Sequence, residues 1–279
     1  MAKESHRWSW LDMATPVGDL DGDRAFFGRD VLQGLIDGIT EFTEGEQQRW
    51  HRSPRGLIGS ALLGCTPWLT DHKLLRVIER LPGGACIVIS KPPITERDPR
   101  HLEELRAFNE RAIGFTKRAL SELGTDEPTI AGKAAVIGPY DRVDTDFVFE
   151  PIRTAWWRQT GRSPLPHAKL ALLGHRWWGH DDFDQEVEVF TPVRLWMSSA
   201  NFTAGSRRNL EFGVWTEDSK LVAAARRFIV ALVGLSEPLG STADHPEPEL
   251  APVTYDHAAF ADYLAEVGWF DEEEDDDDG

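Results

Sequence analysis

The chain has 279 residues, 41% hydrophobic and 28% charged, which suits a soluble globular protein of one large or two small domains with a substantial core. Its formal net charge of −17 argues against strong sequence-independent DNA binding, although a local basic cleft can sit on an acidic body. No apolar run approaches membrane-spanning length, and the opening Lys3, Glu4, His6 and Arg7 lack the basic-then-apolar order of a secretory signal, so the expectation is a cytoplasmic protein with no membrane partner.

Residues 1–54 read as an N-terminal extension with one helix. Residues 1–24 are polar, and Asp30–Trp50 carries Val31, Leu32, Leu35, Ile36, Ile39 and Phe42 at helical spacing. Residues 55–240 read as the main domain. Leu57–Cys65 is apolar on both faces, as in a buried strand. Thr70 or Asp71 can cap a helix bearing Leu74, Leu75, Ile78 and Leu81, and Pro82-Gly83-Gly84 ends it. Ala85–Ser90 is a second buried strand, stopped by Pro92-Pro93. Strand, helix, strand with short connections implies a parallel crossover.

The pattern next predicts a long helix over Arg100–Leu123, a short strand over Lys133–Gly138 and a loop over Pro139–Pro166. Strands are expected at Lys169–Leu173, Val187–Phe190, Arg194–Met197 and Glu211–Thr216, with Arg176–Glu186 as a polar connection. Asp218 or Ser219 caps a further helix. Residues 241–270 read as a linker, containing Pro246-Glu247-Pro248, and a C-terminal helix over His257–Trp269. Residues 271–279 form an acidic tail, read as disordered and solubilising; a sharper reading makes it a nucleic-acid mimic that screens a basic cleft. The only cysteines, Cys65 and Cys86, sit in strand-like runs and read as buried reduced thiols, and they cannot build a zinc motif. The class is α/β, with a mixed sheet covered by helices on both faces.

Chemistry concentrates on three segments. His167-Ala168-Lys169 opens one strand, Ser198-Ser199-Ala200-Asn201 closes another, and Asn209-Leu210-Glu211 opens a third. Residues two apart on a strand share a face. If the strands are neighbours, His167, Lys169, Ser199 and Asn201 converge, and such a group suits attack by histidine on a phosphodiester. Polar side chains buried without partners would cost about 1–3 kcal/mol each.

These segments resemble the fingerprint of the phospholipase D superfamily: H-x-K, then G/S-S-x-N, then N-x-E. The run LLGCTPWLTDHKLLRVIERL resembles the family's first strand and helix, and the likeness spans roughly residues 55 to 235 by pattern. The resemblance implies an α/β/α sandwich with a mixed, mostly parallel central sheet and the site at the strand ends. It also implies a metal-independent phosphodiesterase without cofactor, acting through a phosphohistidine. His167 attacks, Lys169 and Asn201 hold the non-bridging oxygens, Ser199 can add a hydrogen bond, and Glu211 orients an imidazole. Arg207 and Arg208, with Arg153, Arg158 and Arg162, are candidate phosphate-guiding residues; surface charge is the plainer reading.

Two departures from the family pattern stand out. Gly174 occupies the place of an aspartate that often follows the lysine. A single H-x-K occurs where the mechanism needs two histidines, so a homodimer, or a second chain supplying the other motif, is implied. Nucleic acid is the expected substrate. A phospholipid hydrolase or transferase, and an inactive nucleic-acid- or protein-binding module of the same fold, are the alternatives. The segment His175–Asp184 offers a competing metal site or a polar hairpin tip. Of the 11 tryptophans, those near the motif suit core or dimer contacts, with one or two available to stack on bases.

Overall fold

The computed structural model describes residues 17–20, 23–49, 56–91, 98–120, 123, 129–132, 135–140, 147–155, 167–180, 186–242 and 246–267. Strands β1 (Val17–Leu20) and β2 (Asp23–Gly28) precede helix α1 (Val31–Arg49). Then come β3 (Leu57–Thr66), α2 (His72–Glu79), β4 (Ala85–Ser90) and α3 (Pro99–Arg111). Short strands follow: β5 (Phe115–Thr116), β6 (Thr129–Ala131), β7 (Ala135–Ile137), β8 (Val148–Phe149) and β9 (Ile152–Ala155). The second half holds β10 (Leu170–His180), β11 (Glu186–Ser198), β12 (Glu211–Thr216), α4 (Ser219–Gly234), β13 (Glu237–Pro238), β14 (Leu250–Tyr255) and α5 (His257–Glu266).

A nine-stranded sheet runs in the order β1-β2-β12-β11-β10-β3-β4-β9-β13. Side chains alternate along its central strands and feed two cores. Leu62, Ile87, Leu173 and Trp196 pack with α1, α2 and α3 on one face. Leu63, Cys86, Val88 and Leu172 pack with Val222, Ile229 and Leu232 of α4 on the other. This period-2 alternation is what lets one strand serve two helical layers. Cys65 and Cys86 are free and buried, and loss of solvation pushes both thiols up to about 12.

The sheet is mixed, but it is not mostly parallel. Only β3 with β4 and β4 with β9 are parallel; the remaining neighbours pair antiparallel. The cause is connectivity. A helix separates β3 from β4, and α3 lies between β4 and β9, as parallel crossovers require. Among the described residues no α-helix intervenes between β10, β11 and β12, and these strands turn back on themselves.

The described residues 23–49 are not a mere extension. β2 pairs with β12, and Leu32, Leu35 and Ile39 of α1 lie in the core. Nor is 241–270 only a linker and helix, because β14 pairs with β6 and β7 in a separate three-stranded sheet. The helix expected over 100–123 stops at Arg111. Partners outside the helix claim the carbonyls of the next residues: Ala85 N donates to Ile113 O at 2.8 Å, and Arg176 Nη1 donates to Gly114 O at 2.7 Å. A Cβ at Gly114 would also stand 2.0 Å from Phe149 O.

The polar connection expected after Arg176 is strand as far as His180, paired with Glu186. Its arginine finds partners inside the fold, since Arg176 binds Glu188 on β11 and Gly83 O in the turn before β4. Likewise Val187–Phe190 and Arg194–Met197 belong to one continuous strand. The run around Pro92-Pro93, residues Trp156, Trp157, Arg158 and Arg162, Asp181–Asp184 and the acidic tail lie outside the described residues. No helix among the described residues is long and apolar enough to cross a membrane.

Candidate active site

The C-terminal ends of β3, β4 and β9 point the same way as the start of β10, the end of β11 and the start of β12. Open α/β sheets place ligands at this end of their parallel strands. The three polar segments therefore arrive on adjacent strands. Leu170 stands opposite Met197, and Ser198 N donates to Lys169 O at 3.1 Å. Ser199 N donates to Phe212 O at 3.0 Å.

His167 is exposed and Lys169 is 8% exposed. Lys169 Nζ lies 3.1 Å from His167 Nδ1 and donates to His167 O at 3.0 Å. An ammonium can only donate, so Nδ1 accepts and a neutral ring carries its proton on Nε2. Burial lowers the Lys169 pKa below the ordinary lysine value, with the Glu211 charge opposing. Glu211 accepts from Ser199 Oγ and, at 3.4 Å, from Asn209 Nδ2. No hydrogen bond joins it to His167.

Asn201 follows on the turn beyond β11. Its Oδ1 is buried with no hydrogen-bond partner. An amide can rotate to present oxygen or nitrogen, and a partner at this spot would offset the cost of the orphaned atom. The structure thus brings His167 to Lys169 and Ser199 to Glu211, with Asn201 on the same rim.

The arginines differ from one another. Arg207, on a short turn at Ser206–Arg208, is committed to carboxylates. Its Nε and Nη2 reach Asp71 at 2.6 and 3.1 Å, and Nη1 reaches Asp30. It ties the turn to α1 and α2 rather than projecting as a free phosphate guide. Asp30 adopts the left-handed region at φ 55, an uncommon place that aspartate tolerates better than most residues. Arg153 is fully buried against Ser236 and Glu249 and belongs to the core, not to a rim. Arg208 alone of the three is exposed.

Asp71 does more than the capping its sequence position suggests. Its carboxylate accepts from Leu74 N at 2.9 Å while it pairs with Arg207, and its own N–H donates to Phe202 O at 3.1 Å. A helix cap and the Asn201 turn are thereby one assembly. No sequence signal links Asp71 to Arg207, because their pairing depends on tertiary approach.

Gly174 has a steric explanation. It lies at a register shift opposite Pro192, and a Cβ there would stand 2.2 Å from Thr191 O and 2.7 Å from Pro192 Cα. No aspartate fits at that point of this backbone. In the competing segment, the His175 ring stacks on Phe42 with centroids 4.9 Å apart. Among the described residues no cluster of three or more His, Cys, Asp and Glu is arranged to hold a metal ion.

Fold and cluster define a class: a three-layer α/β protein with a polar site at the ends of its parallel strands. No protein-family model and no curated protein matches the chain. Solved structures similar to it include NucT from Helicobacter pylori, at 12% identity and a TM-score of 0.39, covering 77% of this chain and 98% of that one. Nuc from Salmonella typhimurium, a phospholipase D family member, shares 12% identity at a TM-score of 0.40, with 77% of this chain and 97% of that one covered. A polyphosphate kinase from Porphyromonas gingivalis shares 11% at 0.45, with 77% of this chain and 26% of the kinase covered.

Proposed function

We propose that this chain is a metal-independent phosphodiester hydrolase acting on nucleic acid, a nuclease, with His167 as its nucleophile. The observation that carries the reading is the ammonium of Lys169 held against the His167 ring, on a strand next to the one that ends in Ser199 and leads into Asn201. An imidazole, a cation and an amide at one strand end suit covalent transfer at phosphorus.

In the resting pair, Lys169 occupies Nδ1 of His167. An arriving phosphodiester offers the ammonium a charged oxygen and draws it away, which frees the ring to change tautomer and attack through Nε2. A P–N bond forms as the bond to the leaving oxygen breaks, and a second imidazole protonates that oxygen. Water then gives a proton to the second imidazole and its oxygen attacks phosphorus. The P–N bond breaks and His167 is restored. Lys169 and Asn201 balance the oxygen charge throughout. Ser199 keeps the Glu211 carboxylate in place beside them.

The second imidazole comes from a second copy of the chain, or from another chain that carries the same motif. Glu211, which has no hydrogen bond to its own His167, is available to orient the histidine of that second copy.

Cleavage of single- and double-stranded DNA and RNA in EDTA tests the reading. Turnover that survives chelation is expected, and strict dependence on an added divalent cation contradicts it. The alkaline limb of kcat/KM is expected below the ordinary lysine value of about 10.4, because loss of the proton from Lys169 removes the charge that holds the phosphoryl group, and burial shifts that loss downward. Lys169→Arg, which does not deprotonate, should abolish the limb while lowering the rate. A limb that is unchanged in the variant would assign it to another group.

A further inference from the structure

Pro67, Trp68 and Leu69 leave β3 and run beside the Asn201–Phe202 turn. Leu69 and Phe202 form a parallel bridge. Thr66 Oγ1 stitches the two strands further, accepting from Phe202 N at 3.4 Å and donating to Trp68 O at 3.2 Å. A parallel bridge sets the preceding residues side by side, with backbones about 5 Å apart. Side chains alternate, so those residues face away from the bridged pair. Leu69 and Phe202 are each 1% exposed, whereas Trp68 is 48% exposed. Trp68 and Asn201 therefore lie side by side on the face opposite to the bridged pair, the indole half exposed and the amide partly buried.

Trp68 is also one wall of a partly open cleft. Ile89, Leu105 and Leu239 give it apolar surface, and His101 and Thr154 supply polar groups. An apolar bed with a few polar groups suits a flat ring whose faces are apolar and whose edges form hydrogen bonds.

The geometry points to Trp68 and this cleft as the seat of one unpaired nucleobase, belonging to a nucleotide next to the phosphate that Asn201 holds. This rests on the nuclease reading and narrows its substrate to single-stranded or locally opened nucleic acid. A base locked in a duplex cannot turn into the cleft unless it is first unstacked and unpaired. Stacking on an indole tolerates any base, because every base offers a π-face, so little sequence preference is expected.

The test is equilibrium binding of a short single-stranded oligonucleotide, set against an abasic strand of the same length and charge. The chain with Trp68 intact, Trp68→Ala and Trp68→Phe are compared, all in a His167→Ala background that prevents turnover. Trp68→Ala should weaken binding of the base-bearing strand on the order of tenfold and leave the abasic strand unaffected, while Trp68→Phe keeps most of the affinity. Equal affinity of the unsubstituted chain for both strands overturns the proposal. So does an equal loss on both strands in Trp68→Ala, or Trp68-dependent binding of a short-chain phospholipid in place of the oligonucleotide. Failure of the nuclease reading shows separately, as absence of cleavage by the wild-type chain.

Discussion

His167→Ala should lower kcat for phosphodiester cleavage on the order of 10⁴-fold or more, because it removes the atom that bonds to phosphorus. The effect should fall on kcat and leave substrate affinity nearly intact, since Lys169 and Asn201 remain to hold the oxygens. Fold stability should change by less than about 0.5 kcal/mol, because the ring is exposed and its hydrogen-bond partner among the described residues is Lys169. A mixing experiment adds the symmetry argument. If each cleft draws one histidine from each of two copies, mixed dimers of wild type and His167→Ala are inactive. Activity after subunit exchange then falls with the square of the wild-type fraction. A linear fall would place a complete site in each chain and remove the need for a second imidazole from a partner copy.

Asp71→Ala should produce the largest loss among residues away from the reacting atoms. It deletes the N-cap of α2, worth about 1 kcal/mol, and strips the half-buried Arg207 of its bidentate partner, worth about another 1–3 kcal/mol. We expect a total destabilisation of about 2–4 kcal/mol in urea unfolding. A fall in kcat/KM on the order of tenfold should accompany it, because the Asn201 turn loses the clamp that fixes it. Asp71→Asn separates the parts, since asparagine still caps but cannot pair as an anion.

The pH dependence has a defined sign. Burial alone would raise the Asp71 pKa, but the hydrogen bonds and charge of Arg207 and the amides of Leu74 and Lys73 outweigh it and hold it below the ordinary carboxylate value. Its stabilisation is complete above the unfolded pKa of about 4 and fades as pH drops through the lower folded value. The wild-type chain should therefore lose more stability than Asp71→Asn below about pH 4. Parallel pH profiles for the two would show that the pair contributes no linked stability.

What the sequence made legible followed from local rules. β3, α2 with its Asp71 cap, β4, β12 and the Asp218-capped α4 were readable from apolar runs and from capping residues. The grouping of His167 with Lys169 was readable because residues two apart share a strand face. What was not legible required tertiary contact. The extension of β10 through Arg176 depends on Glu188 and on carbonyls distant in sequence. The early end of α3 depends on β4 and β10 competing for the backbone of residues 113 and 114. The outer strands β1 and β2 gave no sign, taken alone, that they complete the sheet beyond β12. Arg207 shows the same limit at the site: its neighbours in sequence suggest a phosphate guide, and its neighbours in space make it an internal clamp.

The covalent intermediate is the most direct test of the chemistry. A labelled phosphodiester is mixed with excess chain in EDTA, quenched in alkali within the first turnover, and the peptides are mapped by mass spectrometry. The account predicts a phosphoramidate that still carries one ester group, lost in acid and located on the peptide containing His167. Product formation with no adduct, or an adduct on any other residue, would contradict it.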